Sequence, residues 1–143
     1  MDAREIANGR LIEADFVSHG FQCVVTFADA SLFCRCGYVI LPKGHPYSDG
    51  KSDHLIPCHG GVTYSKPIPD GGRVIGFDFA HHGDYPDVEY AESVLDPDDF
   101  MEFMRYASAC ACLGEEHTWT VDEVMAECVY VAEYLEEVAG NGQ

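Results

Sequence analysis

The chain has little positive charge. Its 143 residues include 8 Lys and Arg against 25 Asp and Glu, so the formal net charge is −17 with neutral histidines. The deficit is concentrated in residues 85–143, where Arg105 is the single basic residue. A negative field of this size repels phosphate backbones and anionic lipid headgroups. We therefore expect no direct nucleic-acid ligand and no membrane ligand.

Long apolar runs are missing as well. No stretch approaches the roughly 20 residues of a membrane span, and the opening MDAREIANGR has no apolar segment typical of a secretory signal. We expect a protein of the cytoplasm with reduced cysteines. The pairs Cys34/Cys36 and Cys110/Cys112 lack the C-x₂-C spacing common in zinc sites, which favours free thiols packed as small hydrophobic side chains.

The apolar residues that are present predict one folded domain, residues 1–143. Hydrophobic residues make up 47% of the chain and aromatic residues 12%, which is typical of a globular protein. The β-branched and aromatic runs GFQCVVTF and FCRCGYVILP flank ADAS and predict a hairpin. Two further strands, GGVTYS and RVIGFDF, are predicted on either side of the turn residues KPIPDGG.

Two helices are predicted near the C-terminus. Asp96-Pro97 is typical of an N-cap followed by the first residue of a helix, here reaching about Cys112. Thr120 and Glu123 form a capping-box pattern ahead of an apolar stripe with helical spacing. The predicted fold class is α+β, an antiparallel sheet of about four or more strands packed by the two helices.

Histidines, aspartates and glycines cluster where two predicted strands meet loops. CHGG begins at Cys58, and DFAHHGD runs from Asp78 to Asp84. Pairing of the two strands through residues 67–72 would bring both clusters to one end of the sheet. Imidazole and carboxylate suit a mixed N/O metal shell. The predicted ligands of one divalent ion, Zn or Mn, are His59, Asp78, His81 or His82, and Asp84.

Two alternatives remain open for the same residues. Histidine titrates near neutral pH and aspartate can orient its tautomer, so the cluster also suits metal-free acid-base chemistry. Asp and His after a strand can instead cap turns through hydrogen bonds to the backbone. Alternation along RVIGFD predicts that Asp78 faces away from Phe77, toward the His59 side of the sheet, where it shares a pocket with His81.

A predicted loop and several glycines complete the candidate site. His45 lies between Gly44 and Pro46 in a polar stretch and is predicted to be a mobile acid or base that closes over a ligand. It joins His59 and His81 as a candidate catalytic residue. Glycines let a ligand approach the backbone closely, and a tyrosine ring can stack on a ligand. The candidate ligand-binding residues are Gly60, Gly61, Thr63, Tyr64 and Gly83.

Three motifs resemble a family of small proteins encoded by phages and prophages. They are GYVILPKGHPY, HGGVTYS and IGFDFAHHGD, in the family's order, over residues 37–84. Where the family pattern is variable, this chain has His82, so the resemblance favours His81 as the ligand. It implies a protein of the bacterial host cytoplasm and implies no particular activity. The matching positions are Gly37, Pro42, His45, Pro46, His59, Gly60, Gly61, Thr63, Gly76, Phe77, Asp78, His81, Gly83 and Asp84.

Three functions are compatible with these patterns. The first is a small metal-dependent hydrolase, such as a phosphodiesterase acting on a nucleotide or nucleotide-derived signal. The second is a counter-defence protein that sequesters a small signalling ligand without chemistry, with the site at the interface of a homo-oligomer. The third is an inhibitor whose acidic residues 85–143 contact a host protein.

Overall fold

The computed structural model describes residues 1–27, 34–81, 84–110 and 117–141 and shows an α+β fold. The strands are β1 (Leu11–Ser18), β2 (Phe21–Phe27), β3 (Arg35–Leu41), β4 (Tyr64–Pro67), β5 (Arg73–Asp78), β6 (Asp84–Tyr85) and β7 (His117–Thr118). The helices are α1 (Ala3–Ala7), α2 (Val88–Val94), α3 (Pro97–Cys110) and α4 (Val121–Asn141), with a 3₁₀ turn at Asp53–Leu55.

Five strands form one antiparallel sheet in the order β1-β2-β3-β5-β4. The predicted hairpin is confirmed as β2 and β3, and the next two predicted strands as β4 and β5. Along the β3–β5 pair, Cys36 lies opposite Asp78 at one end and Leu41 opposite Arg73 at the other. The sequence reasoning missed the edge strand β1, because acidic residues interrupt its apolar pattern.

The helix α4 packs across one face of the sheet, against β1, β2 and β3. Its predicted capping box is confirmed: the Thr120 hydroxyl accepts from the Glu123 backbone N–H at 3.3 Å, and the Glu123 carboxylate accepts from the Thr120 N–H at 3.2 Å. The predicted helix α3 is confirmed too, but it packs on α2 and β6. It approaches the sheet through Phe103, which lies against Phe27 of β2. The buried α4 residues are Val124, Cys128, Val131, Ala132 and Leu135.

On the opposite face of the sheet, the short helix α1 packs against β1 and β2. Ala3 and Ile6 pack there on a cluster that includes Cys34 and Cys36, which are free, buried thiols as the sequence predicts. None of the helices that the structure describes has the length and apolar character needed to cross a bilayer. The sheet is therefore covered by α4 over β1, β2 and β3 on one face and by α1 over β1 and β2 on the other, while the edge strand β4 stays largely exposed.

Gly37 sets how closely α4 approaches the sheet. A Cβ at this position would lie 2.7 Å from the Phe77 ring and 3.0 Å from Cys128 Sγ on α4. We expect Gly37→Ala to lower the free energy of unfolding by about 1–3 kcal/mol, because the core is overpacked. Urea denaturation measures this change. The control is Gly140→Ala, whose Cβ would meet open space at the end of α4. Unchanged stability in Gly37→Ala would contradict the packing.

Candidate functional site

Two short strands bring distant parts of the chain together at the end of the sheet. β6 and β7 pair in parallel, with Asp84 opposite His117. This pairing places Trp119, which follows β7, beside Asp84. Asp84 N–H also donates to the His81 carbonyl at 2.9 Å. The local backbone therefore presents one carboxylate to an indole and to the histidines around it.

Asp84 is the centre of the site. Its side chain is only 4% exposed. Oδ1 accepts from Trp119 Nε1 at 2.8 Å, and Oδ2 accepts from the His81 backbone N–H at 3.0 Å. His59 Nε2 lies 3.0 Å from Oδ1 and 2.8 Å from Oδ2. An ionised carboxylate only accepts hydrogen bonds, so Nε2 of His59 carries the proton here. These donors compensate for the burial of the charge.

His59 is held on several sides. Its ring stacks on Phe79 at a centroid distance of 4.9 Å and an interplanar angle of 5°, and the Trp119 ring lies 4.7 Å away. Its backbone N–H donates to Glu127 Oε1 of α4 at 2.9 Å. The imidazole keeps 25% of its surface exposed. The site is thus anchored to the core of the sheet and to α4 while one histidine remains accessible.

His81 depends on a glycine. A Cβ on Gly60 would lie 2.0 Å from His81 Nε2, and Gly60 has φ +71°, a conformation that favours glycine. The other ring nitrogen, Nδ1, is buried and has no aligned hydrogen-bond partner. It lies 3.2 Å from Asp78 Oδ1, without hydrogen-bond alignment, and 4.0 Å from Asp84 Oδ2. A buried, unsatisfied imidazole nitrogen therefore lies beside the central carboxylate.

The three residues form a group that can hold a metal ion. His59, His81 and Asp84 each offer one ligand atom, and these atoms lie within 4.8 Å of one another. Ligand atoms bound at about 2.0–2.2 Å to one divalent ion are separated by about 3–4 Å. Small side-chain movements would complete such a shell. Three of the four predicted metal ligands are brought together.

Asp78 lies outside that group. It belongs to the face of β5 that carries Val74, opposite Phe77 and its contacts with α4. Its carboxylate accepts from Ala80 N–H at 3.2 Å and reaches His81 at the end of the strand. The contact with His81 is as predicted, but the predicted opening toward the His59 side is wrong. The cause is that Phe79, the next residue, carries the stacked His59 ring on the other face.

His45 is not on a mobile lid. The residue is 7% exposed and its Nε2 donates to the Leu135 carbonyl of α4 at 2.9 Å. Its Nδ1 accepts from the Tyr47 backbone N–H at 3.0 Å, and its ring lies edge-on to Phe21. Both ring nitrogens are satisfied within the fold. The prediction of a mobile catalytic histidine is therefore corrected, and His45 is a core residue that ties its loop to α4.

The predicted ligand-binding residues separate. Gly60 contacts His81, whereas Gly61 has no atoms near its missing Cβ position. Thr63 is exposed and its backbone N–H donates to the Gly76 carbonyl at 3.0 Å.

Tyr64 packs edge-on to Tyr38, on the sheet face opposite α4. His82 and Gly83 lie outside the described residues. Of the predicted ligand-binding set in the described chain, Gly60 alone contacts one of the grouped histidines.

Sequence reasoning missed two residues that shape the site. The indole N–H of Trp119 donates to Asp84 Oδ1, and its ring contacts His59. The carboxylate of Glu127 accepts from the His59 backbone N–H at 2.9 Å. The presence of a single tryptophan directly before a helix cap was the one available signal.

Comparison of the chain with protein-family models, curated proteins and solved structures gave no match. The resemblance to small phage and prophage proteins therefore stays a prediction.

We expect His45→Ala to lower the free energy of unfolding by about 2 kcal/mol or more, because two buried backbone groups lose their partner. Urea denaturation checks this expectation. The control is the exposed His54→Ala, which should stay within about 0.5 kcal/mol of the wild type. A His45→Ala variant of normal stability that had lost ligand binding would restore the lid hypothesis.

Proposed function

We propose that the chain binds one divalent metal ion through His59, His81 and Asp84 and acts as a small metal-dependent hydrolase. The observation that carries the proposal is His81 Nδ1, which is buried without a hydrogen bond although it lies 3.2 Å from Asp78 Oδ1 and 4.0 Å from Asp84 Oδ2. Buried polar atoms are nearly always satisfied, and an orphaned one calls for an explanation such as an ion. A metal ion between His81 and Asp84 supplies the missing partner.

The hydrogen bonds of Asp84 suit a metal ligand. Trp119 Nε1 donates to Oδ1 and the His81 backbone N–H donates to Oδ2, so together they fix the orientation of the carboxylate. Such outer partners are the usual support of metal-binding carboxylates. The proton of His59 Nε2 lies between the imidazole and the Asp84 carboxylate, in the place where both groups would bind the ion. Metal binding would replace that proton, since ligands bind metal in their deprotonated form.

The donor set indicates the kind of ion and of chemistry. Two imidazoles and a carboxylate suit Zn or Mn, and three protein ligands leave coordination positions open, as in catalytic sites. An ion held in this way lowers the pKa of bound water and polarises a scissile carbonyl or phosphoryl group. The exposed parts of the His59 and His81 rings, 25% and 28% of their side chains, leave the group reachable from solvent.

The distribution of positive charge favours substrates without phosphate. Arg35, which contacts the Trp119 carbonyl, is only 3% exposed and is bound by Glu13 and Asp87, so its charge is not presented to a ligand. Arg73, at the opposite end of β5, binds Ser65 and the carbonyls of Ser48 and Asp49. Lys66 lies over Tyr64 at that same end. About 17 Å of strand separates the two ends of β5, at about 3.3 Å per residue. An uncharged or cationic ester or amide fits this field better than a nucleotide.

A metal-free acid-base pair is the second candidate. The direct contacts of His59 Nε2 with both oxygens of Asp84, at 2.8 and 3.0 Å, favour it. In that reading Asp84 fixes the tautomer of His59 and leaves Nδ1 as the base. This candidate needs no contribution from His81 Nδ1. Metal content separates the two functions.

Untagged protein is expected to bind one Zn²⁺ or Mn²⁺ per chain, measured by elemental analysis after equilibrium dialysis. Asp84→Asn and His81→Ala should each lower the affinity by more than the roughly 10–100-fold that the loss of an outer partner costs. Asp70→Asn, which changes a carboxylate in the turn between β4 and β5, is the control and should keep one ion per chain. Retention of the ion in both Asp84→Asn and His81→Ala would refute the site.

A pair of glycine variants supplies a second control. Gly60 and Gly61 both have positive φ, +71° and +82°, so alanine strains the backbone at either position. Only the Gly60 Cβ would collide with His81. Gly60→Ala should therefore weaken metal binding while Gly61→Ala retains it at similar stability. Equal effects of both variants would show that backbone strain, rather than the position of His81, controls the affinity.

A further inference from the structure

Arg35 is a buried cation just behind the site. Its side chain is 3% exposed. Nε and Nη2 donate to the two oxygens of Glu13 at 2.8 and 3.0 Å, and Nη1 donates to Asp87 Oδ2 at 2.7 Å. Bidentate pairing of this kind fixes the orientation of a guanidinium. The side chain has little freedom to move.

An irregularity in β1 supplies the Glu13 partner. The register of β1 against β2 shifts between Ile12 and Ala14, at Glu13. A bulge re-aims a side chain, and the Glu13 carboxylate is only 3% exposed. Edge strands often contain bulges, but burial of an acidic side chain needs a partner. The edge strand thus contributes a specific contact to Arg35.

Aromatic rings hold the other surfaces of the guanidinium. Arg35 Cζ lies 4.8 Å from the Phe27 ring centre and 5.0 Å from that of Tyr90. Burial opposes the charge, but the hydrogen bonds to Glu13 and Asp87 outweigh it, and the pKa of Arg35 is raised above its ordinary value. The group therefore stays charged at every pH at which the protein is folded.

Arg35 also contacts both aromatic neighbours of His59 through their backbones. Nη1 donates to the Trp119 carbonyl at 2.8 Å, and the Arg35 carbonyl accepts from Phe79 N–H at 3.1 Å. Trp119 in turn donates to Asp84 at 2.8 Å. One residue thus connects β3, the end of β5 and the segment after β7, none of which are neighbours in sequence.

We infer that Arg35 is a positioning residue of the site, which acts on Asp84 and His59 through Trp119. The inference rests on the proposed metal-binding function. The charged guanidinium fixes the position of the Trp119 carbonyl, and with it the position of the indole ring. The indole N–H in turn fixes the orientation of the Asp84 carboxylate. Loss of Arg35 leaves all three proposed ligands in the chain but removes the constraint on their geometry.

A residue that only stabilised the fold would behave differently. Its removal would lower stability, and any effect on metal binding would not depend on Trp119. Removal of a positioning residue affects binding only while Trp119 can transmit the change. Interaction between two such substitutions is measured by a double-mutant cycle.

The test compares Arg35→Met, Trp119→Phe and the double variant by Zn²⁺ competition with a chromophoric chelator. Arg35→Met should weaken Zn²⁺ binding at least about tenfold, the lower bound for an outer partner. In the Trp119→Phe background the same change should cost less than about threefold. Arg35→Lys keeps a positive charge and replaces Arg35→Met in the test if the methionine variant does not fold. A lysine ammonium lacks the planar fork that makes the bidentate pair with Glu13 and the two further hydrogen bonds to Asp87 and Trp119.

Arg73→Met is the control for simple loss of stability. Arg73 also makes three hydrogen bonds, but at the far end of β5. It should leave Zn²⁺ affinity unchanged. An equal loss of affinity from Arg35→Met in both backgrounds, or an equal loss from Arg73→Met, would overturn the inference.

A second measurement does not need the metal. Trp119 is the single tryptophan, so its indole N–H gives one signal in a ¹H–¹⁵N NMR spectrum. Arg35→Met should speed hydrogen exchange of this N–H at least about tenfold, as Asp84→Asn should, while Arg73→Met leaves it unchanged. If the wild type bound no Zn²⁺, the proposed function would fail and this exchange would still decide the role of Arg35. Unchanged exchange in Arg35→Met would overturn that role.

Discussion

The burial of one carboxylate organises this end of the protein. Asp84 is almost fully removed from solvent, and a charge in that position is costly unless donors surround it. The indole of Trp119, the backbone of His81 and the imidazole of His59 provide them. Each donor comes from a different stretch of the chain. The parallel pairing of β6 with β7 and the close approach of His81 to Gly60 are both needed to assemble them.

The rest of the fold supports that arrangement from two sides. On one side, α4 packs on the sheet and presents Glu127 to the backbone of His59. On the other, the Arg35 guanidinium links the edge strand β1 to the carbonyl of Trp119. The charge of Arg35 is thus used inside the protein, and that of Arg73 at the far end of β5. The acidic side chains that contact the grouped histidines are Asp78 and Asp84.

Much of the fold could be predicted because it is encoded locally. The β2–β3 hairpin, the capping box of α4 and the inward face of Phe77 all follow from spacing over a few residues. His59, His81 and Asp84 could be grouped because two successive strands share one end of a sheet. These predictions needed periodicity and turn chemistry alone.

The remaining features depend on partners distant in sequence. His45 is flanked by Gly and Pro and is typical of a loop, but its ring is fixed by Leu135, ninety residues away. The alternation of side chains along β5 predicts that Asp78 and Phe77 lie on opposite faces of the sheet. It does not predict on which of those faces His59 lies. The role of Trp119 arises from the β6–β7 pairing, and strands of two residues leave no pattern in a sequence. Tertiary contacts decide each of these cases.

Anomalous diffraction from crystals grown with Zn²⁺, measured at the zinc absorption edge, tests the central claim most directly. We expect one strong peak within about 2.0–2.2 Å of His59 Nε2, His81 Nδ1 and an Asp84 carboxylate oxygen, the usual range for zinc bound to nitrogen and oxygen. The indole of Trp119 should still donate to Asp84. A direct hydrogen bond between His59 Nε2 and Asp84, with no zinc peak between them at saturating Zn²⁺, would contradict the proposed metal site.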